Sequence, residues 1–202
     1  MWPFTGKKTA DITLGQSTLA GALDQLARIG ISVRSGISNQ HLLETLGGTM
    51  DSTVNWKDLL CVLGSDCEVR PGEYEAASDD IWLFDTESID VPGSYINIVN
   101  GFITLARGAL PLTDLHDHVD LDNQSAWFKF ILDGKIHHWN LEVNEDWVDP
   151  NLYPRLQELV VSRGGDEKFF LTYLGQDCLI CFGDDRMRQA LSDLSGMQFN
   201  WE

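Results

Sequence analysis

The sequence predicts an α+β fold, an antiparallel sheet built from hairpins with helices packed on one face, preceded by a small helical region. Three observations predict it. Leucine-rich segments of helical period, each closed by glycine, fill the first third of the chain. Two hairpin signals lie in the C-terminal part, one across Asp133-Gly134 and one across Gly175-Gln176. An amphipathic helical segment follows each hairpin, the arrangement of helices laid on an antiparallel sheet. The organisation read from this is a helical region over 1–64, an acidic loop or linker over 65–80 and an α+β domain over 81–202, with one continuous domain as the alternative.

The elements are justified in turn. Leu19, Ala22, Leu23, Leu26 and Ile29 share one helical face, with Ser17 or Thr18 as N-cap and Gly30 as the stop. A second helix runs from a Ser38 cap through Leu42, Leu43 and Leu46 to Gly47. A third runs from an Asn55 cap through Leu59, Leu60 and Leu63 to Gly64. Residues 65–80 are polar and acidic and turn at Pro71-Gly72. Ile81-Trp82-Leu83-Phe84 reads as a short buried strand, and a fourth helix spans 94–107 on Ile96, Val99, Phe102, Ile103 and Ala106. Two β-prone runs, 127–132 and 136–143, flank the Asp-Gly turn. In the second, Trp139, Leu141 and Val143 share one face and His138, Asn140 and Glu142 the other. A fifth helix starts near Leu152, because Pro154 is tolerated only in a first turn. Strands over 168–174 and 178–182 follow, then a helix capped by Asp184 and stopped by Gly196, then a short terminal strand within 198–201.

Charge bounds the function. The chain of 202 residues carries 31 acids and 14 bases, a formal −17. Such an excess excludes recognition of nucleic acid through clustered Lys and Arg, and docking on anionic membrane surfaces. The N-terminus has Lys7 and Lys8 but no apolar run behind them, so no secretory leader is expected. No stretch reaches the ~18 apolar residues of a membrane-spanning helix. Four cysteines without a leader read as reduced thiols, and the expected location is the cytoplasm. The acids are focused in two windows, 66–90 and 114–149, as a recognition surface for a basic partner would require.

Several motifs invite chemistry. In 115–122 a strand would project His116, His118, Asp120 and Asp122 from one face, a nitrogen and oxygen donor set suited to zinc or iron. His137 and His138 could approach from the next hairpin; the alternative is a solvated polar edge strand. Cys178-Leu179-Ile180-Cys181 matches C-x-x-C by letter, but a strand sends its thiols to opposite faces, as core residues. Glu142, Glu145, Asp146 and Asp149 surround Trp147, a grouping that suits a raised carboxylate pKa or simply a solvated hairpin end. No nucleophile elbow, phosphate-binding loop or dinucleotide fingerprint occurs, and no cofactor is expected. Trp147, ringed by acids on a turn, reads either as an anchor for a basic partner or as a ring folded back to pin the turn.

The run Trp127-Phe128-Lys129-Phe130-Ile131-Leu132-Asp133-Gly134-Lys135-Ile136-His137-His138-Trp139, continued by Glu142-Val143 and Asp146-Trp147-Val148-Asp149-Pro150, has a recognisable character. With Gly175-Gln176-Asp177-Cys178-Leu179-Ile180 it resembles small acidic bacterial immunity proteins of polymorphic or contact-delivered toxin systems. The resemblance covers the C-terminal part of the chain and leaves the N-terminal helical third outside it. It implies a non-enzymatic inhibitor that binds a basic toxin domain and covers its active cleft. The partner-binding residues expected are Asp114, Asp117, Asp120, Asp122, Glu142, Glu145, Asp146, Trp147 and Asp149. The competing readings are a small metal-dependent hydrolase centred on His116 and His118, and a structural subunit of a larger complex.

Overall fold

The computed structural model describes residues 17–49 and 53–201. Its elements in chain order are β1 (Ser17–Thr18), α1 (Leu19–Ile29), α2 (Asn39–Leu46), β2 (Thr53–Val54), α3 (Trp56–Leu63), β3 (Asp66–Arg70), β4 (Glu73–Ala76), β5 (Ile81–Asp85) and α4 (Ser94–Leu105). They continue as β6 (Thr113–Asp120), β7 (Ser125–Leu132), β8 (Lys135–Leu141), α5 (Leu152–Val161), β9 (Lys168–Leu174), β10 (Asp177–Gly183), α6 (Asp185–Ser195) and β11 (Asn200–Trp201). The fold is α+β, with helices packed against antiparallel sheets.

Local chemistry sets the helix ends where the sequence places them. Thr18, Ser38, Asn55 and Asp184 each accept a hydrogen bond from a first-turn amide, at Gly21, His41, Asp58 and Met187. At Ser38 the box is reciprocal, because the His41 ring accepts from the Ser38 amide. Gly30 closes α1 at φ +99, a backbone conformation that costs an L side chain energy. The β7–β8 hairpin turns on Asp133 and Gly134, both at positive φ, as a two-residue turn between twisted strands requires.

The centre of the molecule is a four-stranded sheet in the order β11-β9-β10-β5. Along β10 successive side chains enter two different cores. Cys178, Ile180 and Phe182 join one, and Leu179 and Cys181 join the other. The first core lies under α4, α5 and the inner face of a second sheet, β6-β7-β8. The second lies under α1, α2, α3 and α6. Helices therefore cover both faces of the central sheet rather than one. A strand that is apolar on both faces cannot show water on either, and the unbroken run Cys178-Leu179-Ile180-Cys181-Phe182 is the sequence mark of that burial. The two thiols point to opposite faces, and burial pushes that of Cys181 well above its ordinary pKa.

Two features differ from expectation. Residues 66–76, expected within an acidic loop, are the β3–β4 hairpin; the Pro71-Gly72 turn is retained and Cys67 is wholly buried. The strand at 81–85 pairs with β10, far along the chain, so that Asp85 faces Asp177 and Ile81 faces Cys181. Its outer edge is partly met by the Leu83 amide, which donates to the Gly64 carbonyl at 2.7 Å.

Candidate functional site

The residues expected to meet a partner divide into carboxylates turned inward and carboxylates left at the surface. Helix α4 explains the first group. Its N-cap is Gly93, which has no side chain to accept from the first-turn amides. Asp117, projecting from β6, supplies the missing cap. Its Oδ1 accepts from Gly93 N at 2.7 Å, and its Oδ2 accepts from Tyr95 N at 3.0 Å and Ile96 N at 3.2 Å. A carboxylate at a helix N-terminus is favoured both by these donors and by the helix dipole. Asp117 is thereby committed to the fold.

Asp149 is withdrawn from the surface in the same way. It is 2% exposed, and its Oδ2 accepts from Glu142 N at 2.9 Å. Its Oδ1 accepts from Asn151 N at 2.8 Å and from Asn151 Nδ2 at 2.9 Å. The Asp149 amide in turn donates to the phenol oxygen of Tyr95 at 3.2 Å. Tyr95 thus joins the two acids, through its amide to Asp117 and through its ring to Asp149. A buried side chain with every oxygen engaged cannot face a partner, so Asp149 leaves the expected surface.

The second group gathers at one corner. The loop after β5 and the loop after β8 pair with each other: Val148 N donates to Thr86 O at 2.9 Å and Ile89 N to Asp146 O at 2.9 Å. Backbone bridges tie Trp147 to Glu87 and to Asn144. This pairing brings Asp85 and Glu87, from the first acidic window, beside Glu145 and Asp146 from the second. Desolvation raises the pKa of Glu87 first, and the negative charges of Asp146, Asp85 and Glu145 add to it. No Lys or Arg forms an ion pair with these four carboxylates among the described residues. The backbone of Trp147 pins the turn, and the residue is half-buried beside the acids. Glu142 is exposed at the base of the same loop.

The β6 segment is less convergent. Asp114, at φ +53, is exposed and lies 3.0 Å from His116 Nε2. Asp120 accepts from the Asn123 side chain at 2.8 Å and from the Asn123 amide at 3.0 Å, and these bonds lower its pKa. Asp122 lies exposed in the turn beyond the strand.

His116 and His118 share the outward face of β6. His118 stacks on Trp127 at 5.7 Å, and Trp127 stacks on His138 at 5.3 Å, giving a three-ring ladder across β6, β7 and β8. His137 turns to the other face and lies flat on Phe130 at 4.8 Å. Among the described residues no three His, Cys, Asp or Glu side chains are grouped to hold a metal ion. No helix among them is long and apolar enough to cross a membrane.

Sequence reasoning missed Asp80. It is 8% exposed, and its Oδ2 accepts from the amide and the hydroxyl of Ser32, both at 2.7 Å. Its other oxygen pairs with Arg107. This carboxylate ties the α1–α2 connection to the segment after α4, and no local pattern around Asp79-Asp80 distinguishes it from its exposed neighbour. Comparisons with protein-family models, with curated proteins and with solved structures found no match to this chain.

Proposed function

We propose that this chain is a binding protein for a basic partner, acting as an immunity protein that covers the active cleft of a toxin domain. The observation that carries the reading is the corner where Asp85, Glu87, Glu145 and Asp146 converge beside Trp147 with no cation among them. Like charges held together by backbone pairing work against the fold unless something gains from the field they make. A cationic surface would gain, both in encounter rate and in orientation. The half-buried tryptophan adds apolar area at the centre of the charge, the combination that anchors protein interfaces. The toxin-inhibitor assignment within this class rests on the resemblance of the C-terminal hairpin and its flanking segments.

The test is native mass spectrometry of the protein purified gently from its own host. A basic polypeptide bound at fixed stoichiometry is the expected result, and the chain alone or the chain with a metal ion would refute the reading. With the partner in hand, Glu145→Lys with Asp146→Lys should slow association and flatten its dependence on salt. Asp149 is left out of this variant because its reversal would disrupt the fold.

A further inference from the structure

Beside the acidic corner the molecule has a recess that none of the preceding argument uses. Strand β5 is an edge of the central sheet, and α4 runs alongside it. Between them lie two clefts, of about 470 Å³ and about 280 Å³, and the Trp82 side chain lines both. The larger is bordered by Arg34, Asp66, Asp79 and Thr104 and the smaller by Asp85, Asp90 and Asn97. Together they form a trough along β5 divided by one indole.

Two glycines let β5 pack closely against its neighbours along the trough. A Cβ on Gly101 of α4 would fall 2.5 Å from the Trp82 ring, and one on Gly64 would fall 2.7 Å from the Leu83 amide. Both glycines line the larger cleft, where a side chain would collide with its wall. The indole itself is fixed by stacking on Phe84 at 4.5 Å and by an edge contact with Phe102 at 6.1 Å. The partition between the clefts is therefore set by the packing of the Trp82 ring.

The charge of the trough is negative on balance, with four aspartates set against one base, Arg34, in the larger cleft. Of its four bordering aspartates, Asp79 alone meets a base, Arg34 at a loose 3.8 Å with both side chains about half exposed. Asp85 and Asp90 accept from neutral donors, Gln176 and Ser94, which leaves their charge in place. Asp66 forms no ion pair among the described residues.

We infer that this trough receives an extended segment of the protein partner, with an arginine or lysine side chain entering the cleft on each side of Trp82. The inference rests on the basic-partner reading and adds where on the chain that partner inserts. Aspartates at both ends would meet the cationic heads, while the aliphatic stems would lie along the indole and Leu83. The trough opens toward the acidic corner through Asp85, so the same approaching charge is drawn to both.

The experiment titrates the full chain with a synthetic peptide of alternating arginine and serine and follows backbone amide resonances. Spermidine and an acidic peptide of equal length serve as separate arms. Shifts at Ile81, Leu83, Gly101 and Thr104 with the basic peptide, absent with the acidic one, are the expected result. Thr104→Arg should weaken that binding about tenfold by placing a cation in the larger cleft. Thr104 is exposed and its hydroxyl donates to Asn100 O within its own helix, so the variant keeps the fold, as unchanged resonances elsewhere will confirm. Shifts confined to Glu87, Glu145 and Asp146 would overturn the trough while leaving the basic-partner reading standing. Equal binding of spermidine, or no shift at all, would also overturn it. Failure of the parent reading is seen separately, as a chain that leaves its host with no basic protein bound.

Discussion

Asp117 and the corner around Glu87 use the same side-chain chemistry to opposite effect. At Asp117 one carboxylate meets three backbone amides and ends a helix that glycine cannot cap. At the corner four carboxylates meet one another, and desolvation together with the charge of the other three makes Glu87 harder to ionise. The first arrangement stabilises the fold because every donor would otherwise be an orphan. The second is held in place by backbone pairing between the 86–89 and 146–148 segments, not by any attraction among its charges. A net charge of −17 therefore has two components, one consumed internally and one presented outward. The outward component alone can recognise a partner.

The comparison breaks most severely at Asp149, the inward acid with the least exposure. Asp149→Ala strands the amides of Glu142 and Asn151, and should cost about 3 kcal/mol, at the upper range for a charged buried acceptor. The urea midpoint should fall accordingly, with the slope unchanged. A loss below ~1 kcal/mol would mean that water replaces the carboxylate, and that Asp149 is not the clasp described.

Asp117→Ala should cost less, about 2 kcal/mol, because the helix N-terminus is nearer solvent and water recovers part of the loss. Its signature is local: faster hydrogen exchange over the first turn of α4, with β9 and β10 protected as before. Asp117→Asn, which keeps an acceptor oxygen but not the charge, should fall between the two. If Asn matched the parent protein, the dipole contribution would be negligible and the hydrogen bonds alone would account for the cap.

How much of this was legible in the sequence follows from the range of each interaction. Caps at Thr18, Ser38, Asn55 and Asp184 act within three residues, so they could be read directly and the helices fall where the pattern puts them. The Asp133-Gly134 turn is equally local. The pairing of β5 with β10 joins distant parts of the chain, and nothing in Ile81-Trp82-Leu83-Phe84 names its partner. Hairpin β3–β4 was hidden because its strands are mostly exposed and charged, with Cys67 its fully buried inward anchor. Among the acids the same logic holds. Asp117 could not be told from Asp114 or Asp122 by composition, since the amides it caps lie on another element. A glycine at an N-cap position, here Gly93, is the one sequence signal that a remote acceptor is needed.

At the outward corner the same kind of substitution should leave stability nearly untouched. Glu145→Lys with Asp146→Lys removes repulsion and breaks no side-chain hydrogen bond among the described residues, so the unfolding free energy should stay within ~0.5 kcal/mol of the parent. Association with the basic partner should slow by about tenfold or more at low salt. A variant that loses stability but not association rate would place these residues with Asp117, among the acids the fold consumes.

The smallest effect is the most diagnostic of the corner's electrostatics. Because the folded-state pKa of Glu87 lies above its ordinary value, the folded protein holds that proton more tightly than the unfolded chain. The resulting stability is fully present below the ordinary glutamate range and is lost as pH rises through the raised pKa. Carboxyl-detected NMR titration should find Glu87 displaced upward. Asp146→Asn should move it back toward the ordinary value, since Asp146 is the foremost charge acting on it. Desolvation, which the substitution leaves in place, should keep part of the displacement. A Glu87 that titrates unchanged in the variant would mean that burial alone sets its pKa, and that the corner is not a concentrated field but four separate charges.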